Sequence, residues 1–136
     1  MTTLTHDSIY TQHHNGVHEL VFLEASEQAV CDYLNLMQQA THTAADDDTM
    51  TLILLDLRVS GMLSTGHLAE QMNRFNASRL VSMPSRTAIL YQDGATVAMA
   101  ANATRLMVRP GLDTFKFFHG DQRANAIAWL LACCPI

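Results

Sequence analysis

Two β-prone runs open the chain, Ile9-Tyr-Thr-Gln-His-His14 and Val17-His-Glu-Leu-Val-Phe-Leu23, with Asn15-Gly16 between them. Asn-Gly suits a type I′ turn, in which both central residues take positive φ, so this stretch predicts an antiparallel hairpin. Ser26 then stands as an N-cap. Val30, Tyr33, Leu34 and Met37 recur behind it at helical spacing, which predicts a helix from about 26 to 41. His42-Thr-Ala-Ala-Asp-Asp-Asp-Thr49 reads as a polar loop, and its consecutive acids lack the alternating ligand spacing of a calcium loop. Thr51-Leu-Ile-Leu-Leu-Asp-Leu57 is a continuous apolar run, the pattern of a central strand covered on both faces.

A second helix, from about 64 to 81, presents Leu68, Met72 and Phe75, and Pro84 marks the loop after it. Arg86-Thr-Ala-Ile-Leu-Tyr91 is a short buried strand ended by Asp93-Gly94. Val97, Ala101 and Val108 then line a helix that stops near Arg109-Pro-Gly111. Asp113-Thr-Phe-Lys-Phe-Phe118 is the last strand. Asp121 caps a final helix whose buried stripe is Ala124, Ile127, Leu130 and Leu131. Strands that alternate with helices make a mostly parallel sheet. The expected fold is therefore one α/β domain over 1–136, with its core at about 8–132. It has a five-stranded mixed sheet with an N-terminal β-hairpin and four helices, in the order β-β-α-β-α-β-α-β-α.

Composition adds boundaries to this pattern. Hydrophobic residues make up 49% of 136, enough for a core, whereas only 15% are charged. The net charge is −5, Lys116 is the only lysine, and no basic patch of the kind nucleic-acid binders carry is visible. The start, Met1-Thr-Thr-Leu-Thr-His-Asp-Ser8, lacks the basic segment and apolar run of a signal peptide, and no apolar stretch approaches membrane-spanning length. Cys31, Cys133 and Cys134 are read as free thiols, so the expected location is cytoplasmic. Trp129 is expected to be a core anchor that packs on the sheet.

Chemistry concentrates where the apolar run ends. Asp56 and Arg58 stand at the C-terminal end of a central strand, where open α/β sheets place ligands; equally, they form a partly exposed charge pair that orders the loop. Ser64, Thr65 and Gly66 then open the second helix, whose free N–H groups and dipole favour an acceptor or a phosphate. Capping alone also accounts for a serine at Ser64. A Ser64–His67–Asp56 triad can be drawn, but nothing supplies a strained nucleophile elbow or an oxyanion hole. His13, His14 and His18 cluster around the hairpin, short of the three or four converging ligands that zinc needs. No catalytic constellation, metal site or cofactor site emerges.

Three segments resemble the STAS family, named for sulfate transporters and anti-sigma-factor antagonists, and more closely its SpoIIAA-like (STAS/SEC14-like) group. Leu54-Leu-Asp-Leu57 is similar to that family's central strand, and Arg86-Thr-Ala-Ile-Leu90 to the strand opening its second half. Phe117-Phe-His-Gly-Asp121 leading to Ala126-Ile-Ala-Trp-Leu130 resembles its closing strand and helix. The order and spacing match over about residues 8 to 132. Family antagonists carry Asp-Ser-x-Gly before the second helix, and a partner kinase phosphorylates the serine. Here the matching positions read Leu63-Ser64-Thr65-Gly66, so the hydroxyl is kept and the acid is replaced.

The resemblance implies a cytoplasmic, non-enzymatic binding or regulatory module. Its partner would be a protein, either anti-sigma-factor-like or a second copy in a homodimer, met through the Arg58–Gly66 loop and the second helix. The alternative is a SEC14-like carrier of a small apolar ligand or lipid, with Met62, Met72, Met99 and Met107 lining a cavity.

Overall fold

The computed structural model describes residues 2–4, 7–47, 49–61, 70–71, 73–74, 84–107 and 112–132. The expected hairpin forms, with β2 (Ser8–Gln12) and β3 (Val17–Phe22) paired antiparallel, but its turn is not the type I′ turn centred on Asn15-Gly16: Gly16 N–H donates to the His13 carbonyl at 3.1 Å, so His14 and Asn15 are the central residues and Gly16 follows them with φ 89°. A short strand that the sequence pattern did not signal, β1 (Thr2–Leu4), pairs antiparallel with β2 and makes a sixth strand. Three residues of mixed character carry too little alternation to be read as a strand.

β4 (Thr51–Asp56), β5 (Ser85–Tyr91) and β6 (Asp113–His119) follow, each parallel to its predecessor from β3 onward. Sheet order equals chain order, β1-β2-β3-β4-β5-β6. The fold is thus α/β with a mixed sheet, as expected.

Three α-helices are described where four were expected: α1 (Glu27–Asp47), α2 (Gly94–Met107) and α3 (Arg123–Leu131). The predicted helix at 64–81 lies largely outside the described residues; within it Glu70, Gln71, Asn73 and Arg74 are helical. α1 runs six residues past its predicted end, through the stretch read as a polar loop. The apolar period that revealed it stops at Ala40, but helical hydrogen bonding needs no apolar period, and Ala44 and Ala45 favour helix. Asp121 does not cap α3. A 3₁₀ turn, Gly120–Gln122, intervenes, and His119 stands at its N-cap, where its backbone N–H donates to Gln122 Oε1 at 3.2 Å.

Alternation along the strands divides the core in two. Leu20, Phe22, Ile53, Leu55 and Ile89 face α1 and pack with its Ala29, Val30, Tyr33, Leu36, Met37 and Ala40. Val17, Leu52, Leu54, Ala88 and Leu90 face α3 and pack with Ala126 and Leu130. β4 is buried at every position, as a central strand covered on both sides must be. Burial of each such aliphatic side chain contributes about 1.5–3 kcal/mol. The stripe predicted for the last helix shifts by part of a turn: Ala126 and Leu130 are buried, Ile127 and Leu131 are half-buried, and Ala124 is exposed. The 3₁₀ turn rotates the helix relative to an Asp121 start. No helix among the described residues is long and apolar enough to cross a membrane.

Candidate functional site

Parallel strands deliver their C-terminal ends to one edge of the sheet, and Asp56, Tyr91 and His119 close β4, β5 and β6 there. Asp56 shares the α3 side of the sheet with Leu52 and Leu54, and its side chain is 3% exposed. A buried carboxylate needs compensation, and Arg58 supplies it. The Arg58 backbone N–H donates to Asp56 Oδ1 at 3.0 Å, and its Nε donates to Oδ1 and Oδ2 at 3.0 and 3.1 Å. Nη2 donates to Oδ2 at 2.7 Å, and Nη1 reaches the Gly120 carbonyl at 3.1 Å. The hydrogen bonds to Asp56 hold the guanidinium pKa above its usual value.

This clamp fixes the turn that follows β4. Leu57 N–H extends the ladder to the Leu90 carbonyl at 2.9 Å, and Gly61 N–H closes onto the Leu57 carbonyl at 2.9 Å. Gly61 takes φ 71°, a region that other residues enter at a cost. Between these fixed points Val59 is 67% exposed, the one large hydrophobic residue so placed among the described residues.

The third wall is Gly120. A Cβ there would sit 2.5 Å from Arg58 Cδ and 2.8 Å from Gln92 Oε1, so glycine is what lets the Arg58 side chain cross the β6–α3 turn. Beside it the His119 ring meets Tyr91 edge-on, with centroids 5.6 Å apart. His119 Nδ1 lies 2.7 Å from Asp121 Oδ1 and 3.5 Å from the Asp121 backbone N. One nitrogen cannot donate and accept at once. The shorter, charge-assisted contact decides, so Nδ1–H donates to the carboxylate.

The hairpin histidines do not converge. His13 Nε2 contacts Glu19 Oε1 at 2.7 Å, and the same oxygen accepts from Arg123 Nη2 at 2.6 Å, which ties the hairpin to the first turn of α3. His18 lies among the residues facing α1, where Tyr10 stacks on it and their Oη and Nδ1 are 2.7 Å apart. Burial lowers the His18 pKa and raises that of Tyr10. Among the described residues no group of three or more His, Cys, Asp or Glu side chains could hold a metal ion.

Of the residues singled out in the sequence, Asp56 and Arg58 are brought together, in the loop-ordering arrangement that was one of their two readings. Ser64, Thr65 and Gly66, with His67, Met62 and Met72, lie outside the described residues. Met99 and Met107 fall in α2. Sequence reasoning missed Gly120, Gln92 and the His119–Asp121 pair as members of this edge. The signal was present: Phe117-Phe-His-Gly-Asp121 places a histidine, a glycine and an acid just past a strand end, but it was read only as a mark of fold. Trp129 is half-buried rather than core. Its ring rests on Phe118, and Arg86 and Lys116 lie against it.

Comparison with protein-family models, with curated proteins and with solved structures gives no match.

Proposed function

We propose that the chain is a cytoplasmic binding module of the STAS (SpoIIAA-like) kind, which meets a protein partner through the loop at 58–66 and the segment after it. The partner is an anti-sigma-factor-like protein or a second copy. One observation carries this reading: Val59, exposed to 67%, stands on a turn that the ion pair of Arg58 with the buried Asp56 and a left-handed glycine hold in place. An apolar side chain presented on a rigid turn loses little entropy on docking, which is how an interface anchor gains affinity. The alternative is the SEC14-like carrier, whose cavity would be lined by Met62, Met72, Met99 and Met107, of which Met62 and Met72 lie outside the described residues. A concavity on the outer side of α1, lined by the polar Asn35, Gln38, Gln39 and His42, does not suit an apolar ligand.

The test places a photo-crosslinking residue at Val59 and, in a second variant, at Gln38, in cells that express the protein. Cross-linking to one protein species or to a second copy from position 59 alone supports the module. Equal products from both positions, or none from 59, overturn it. Ser64→Asp adds the regulatory arm: it should keep its stability, since Ser and Asp both cap well, and lose the partner. Unchanged partner capture by Ser64→Asp reduces Ser64 to a helix cap.

A further inference from the structure

Three arginines of this acidic chain each hold a carboxylate: Arg58 with Asp56, Arg74 with Glu70 and Arg123 with Glu19. Arg86 and Lys116 do not. They lie on neighbouring strands, β5 and β6, on the side of the sheet that α3 covers, because Ala88 of that side pairs in register with Lys116. What they meet is aromatic. The Arg86 guanidinium sits 4.4 Å from the centre of the Trp129 ring, and the Lys116 ammonium 5.9 Å from that ring and 5.3 Å from Phe118. Arg86 Nη1 also donates to the Trp129 carbonyl at 2.7 Å.

This arrangement is oriented and unneutralised. The contact with the Trp129 ring and the bond to its carbonyl hold the guanidinium in place, and among the described residues no partner meets its Nε and Nη2 edge. That edge is the fork that takes an oxyanion by two parallel hydrogen bonds. Lys116, exposed on the neighbouring strand with its ammonium 5.9 Å from the centre of the same ring, adds a mobile point charge. A ring quadrupole attracts a cation without cancelling its charge, so among the described residues these two positive charges meet no carboxylate, in a protein whose net charge is −5.

We propose that Arg86, Lys116 and Trp129 form a site for a small dianionic ligand, a phosphomonoester or a dicarboxylate. Arg86 takes the oxyanion through its free edge, Lys116 supplies the second charge, and the exposed part of Trp129 borders the ligand. This site lies apart from the Val59 turn and does not depend on the reading given to that turn.

Trp129 is the only tryptophan, so its fluorescence reports the site alone. The whole chain is titrated with inorganic phosphate and separately with succinate, each against sodium chloride of equal ionic strength. A saturable change in Trp129 emission with either dianion, absent with chloride, is expected, and the tighter arm identifies the oxyanion. Lys116→Glu reverses one charge at an exposed position. It should keep the melting temperature and weaken binding at least tenfold. Arg86→Gln should abolish the saturable change, with a melt of the same variant showing that it remains folded. No saturable response to either dianion overturns the proposal, as does binding that Lys116→Glu leaves unchanged.

Discussion

Replacing Arg58 by alanine removes the partner of a buried carboxylate without touching the carboxylate itself. Asp56, 3% exposed, then keeps only the backbone N–H of residue 58. The guanidinium contributes contacts from Nε and Nη2 to Asp56 and one from Nη1 to Gly120. A hydrogen bond to a charged group is worth about 1.5–3 kcal/mol net. The guanidinium is 35% exposed, so solvent screens part of this interaction, and the sum does not approach the ~3–5 kcal/mol of a fully buried pair. The expected loss for Arg58→Ala is about 2 kcal/mol, or about 7 °C in melting temperature for a domain of this size.

A double-mutant cycle separates the pair from its surroundings. Asp56→Asn keeps the shape and removes the charge, and the coupling between the two sites should be about 1–2 kcal/mol. Gly120→Ala offers an independent route to the same contact. Its Cβ would displace Arg58 Cδ, so in the Gly120→Ala background the added cost of Arg58→Ala should shrink to a small fraction of its wild-type value. Chemical denaturation read by circular dichroism measures all these quantities. An Arg58→Ala variant that melts within about 1 °C of wild type would refute the clamp, since a buried Asp56 without its cation must cost more than that.

Thr87 has a buried hydroxyl that meets no hydrogen-bond partner among the described residues, so Thr87→Val should raise stability by about 1 kcal/mol in the same denaturation assay, and a loss would mean that the hydroxyl is satisfied. Burial lowers the His18 pKa below 6.5, so the folded state binds fewer protons than the unfolded chain just below that pH. The stability from neutral His18 is therefore fully present above pH 6.5 and is lost as pH falls through it toward the folded pKa, and His18→Gln should remove that part of the slope. Trp129→Ala should cost about 2 kcal/mol, less than the ~3–5 of a fully buried aromatic, because the ring is half-buried; a loss beyond that range would restore it to the core.

The parts of the fold that the sequence revealed are those where one physical constraint acts alone. Asn15-Gly16 announced its hairpin because a glycine takes the positive φ on which the chain turns back, although the turn is centred one residue earlier than a type I′ turn would be. The apolar run Leu52–Leu55 at the centre of β4 announced a strand covered on two faces, because side chains on both sides of it are buried, with the buried polar residues Thr51 and Asp56 at its ends. The misjudged parts are those where two constraints compete. α1 continues past the end of its apolar stripe because backbone hydrogen bonds and alanine propensity outlast the need to bury a face. α3 starts later than Asp121 suggests because His119 and Gln122 build a 3₁₀ turn first, and the buried stripe rotates with it. β1 is held by pairing with β2, a tertiary fact that three residues cannot encode by themselves.

The candidate site was legible only in its sequence-local half. Asp56 and Arg58 are two residues apart, and their pairing follows from charge and strand position. Gly120 is 62 residues further along the chain from Arg58, and its significance comes from an absence: the missing Cβ is the space that Arg58 crosses. No pattern of residue types marks a glycine whose value lies in what passes over it. The same holds for Arg86 and Trp129, 43 residues apart, which read separately as a strand cation and a core aromatic. Only the register of β5 against β6, with α3 packed on them, turns that pair into a guanidinium held over an indole ring and bonded to its backbone carbonyl. The sequence therefore supplies the chemistry and the sheet supplies the selection. Of the described cations, the arginines that find a carboxylate serve the fold, and the two that find an indole ring keep a charge to offer.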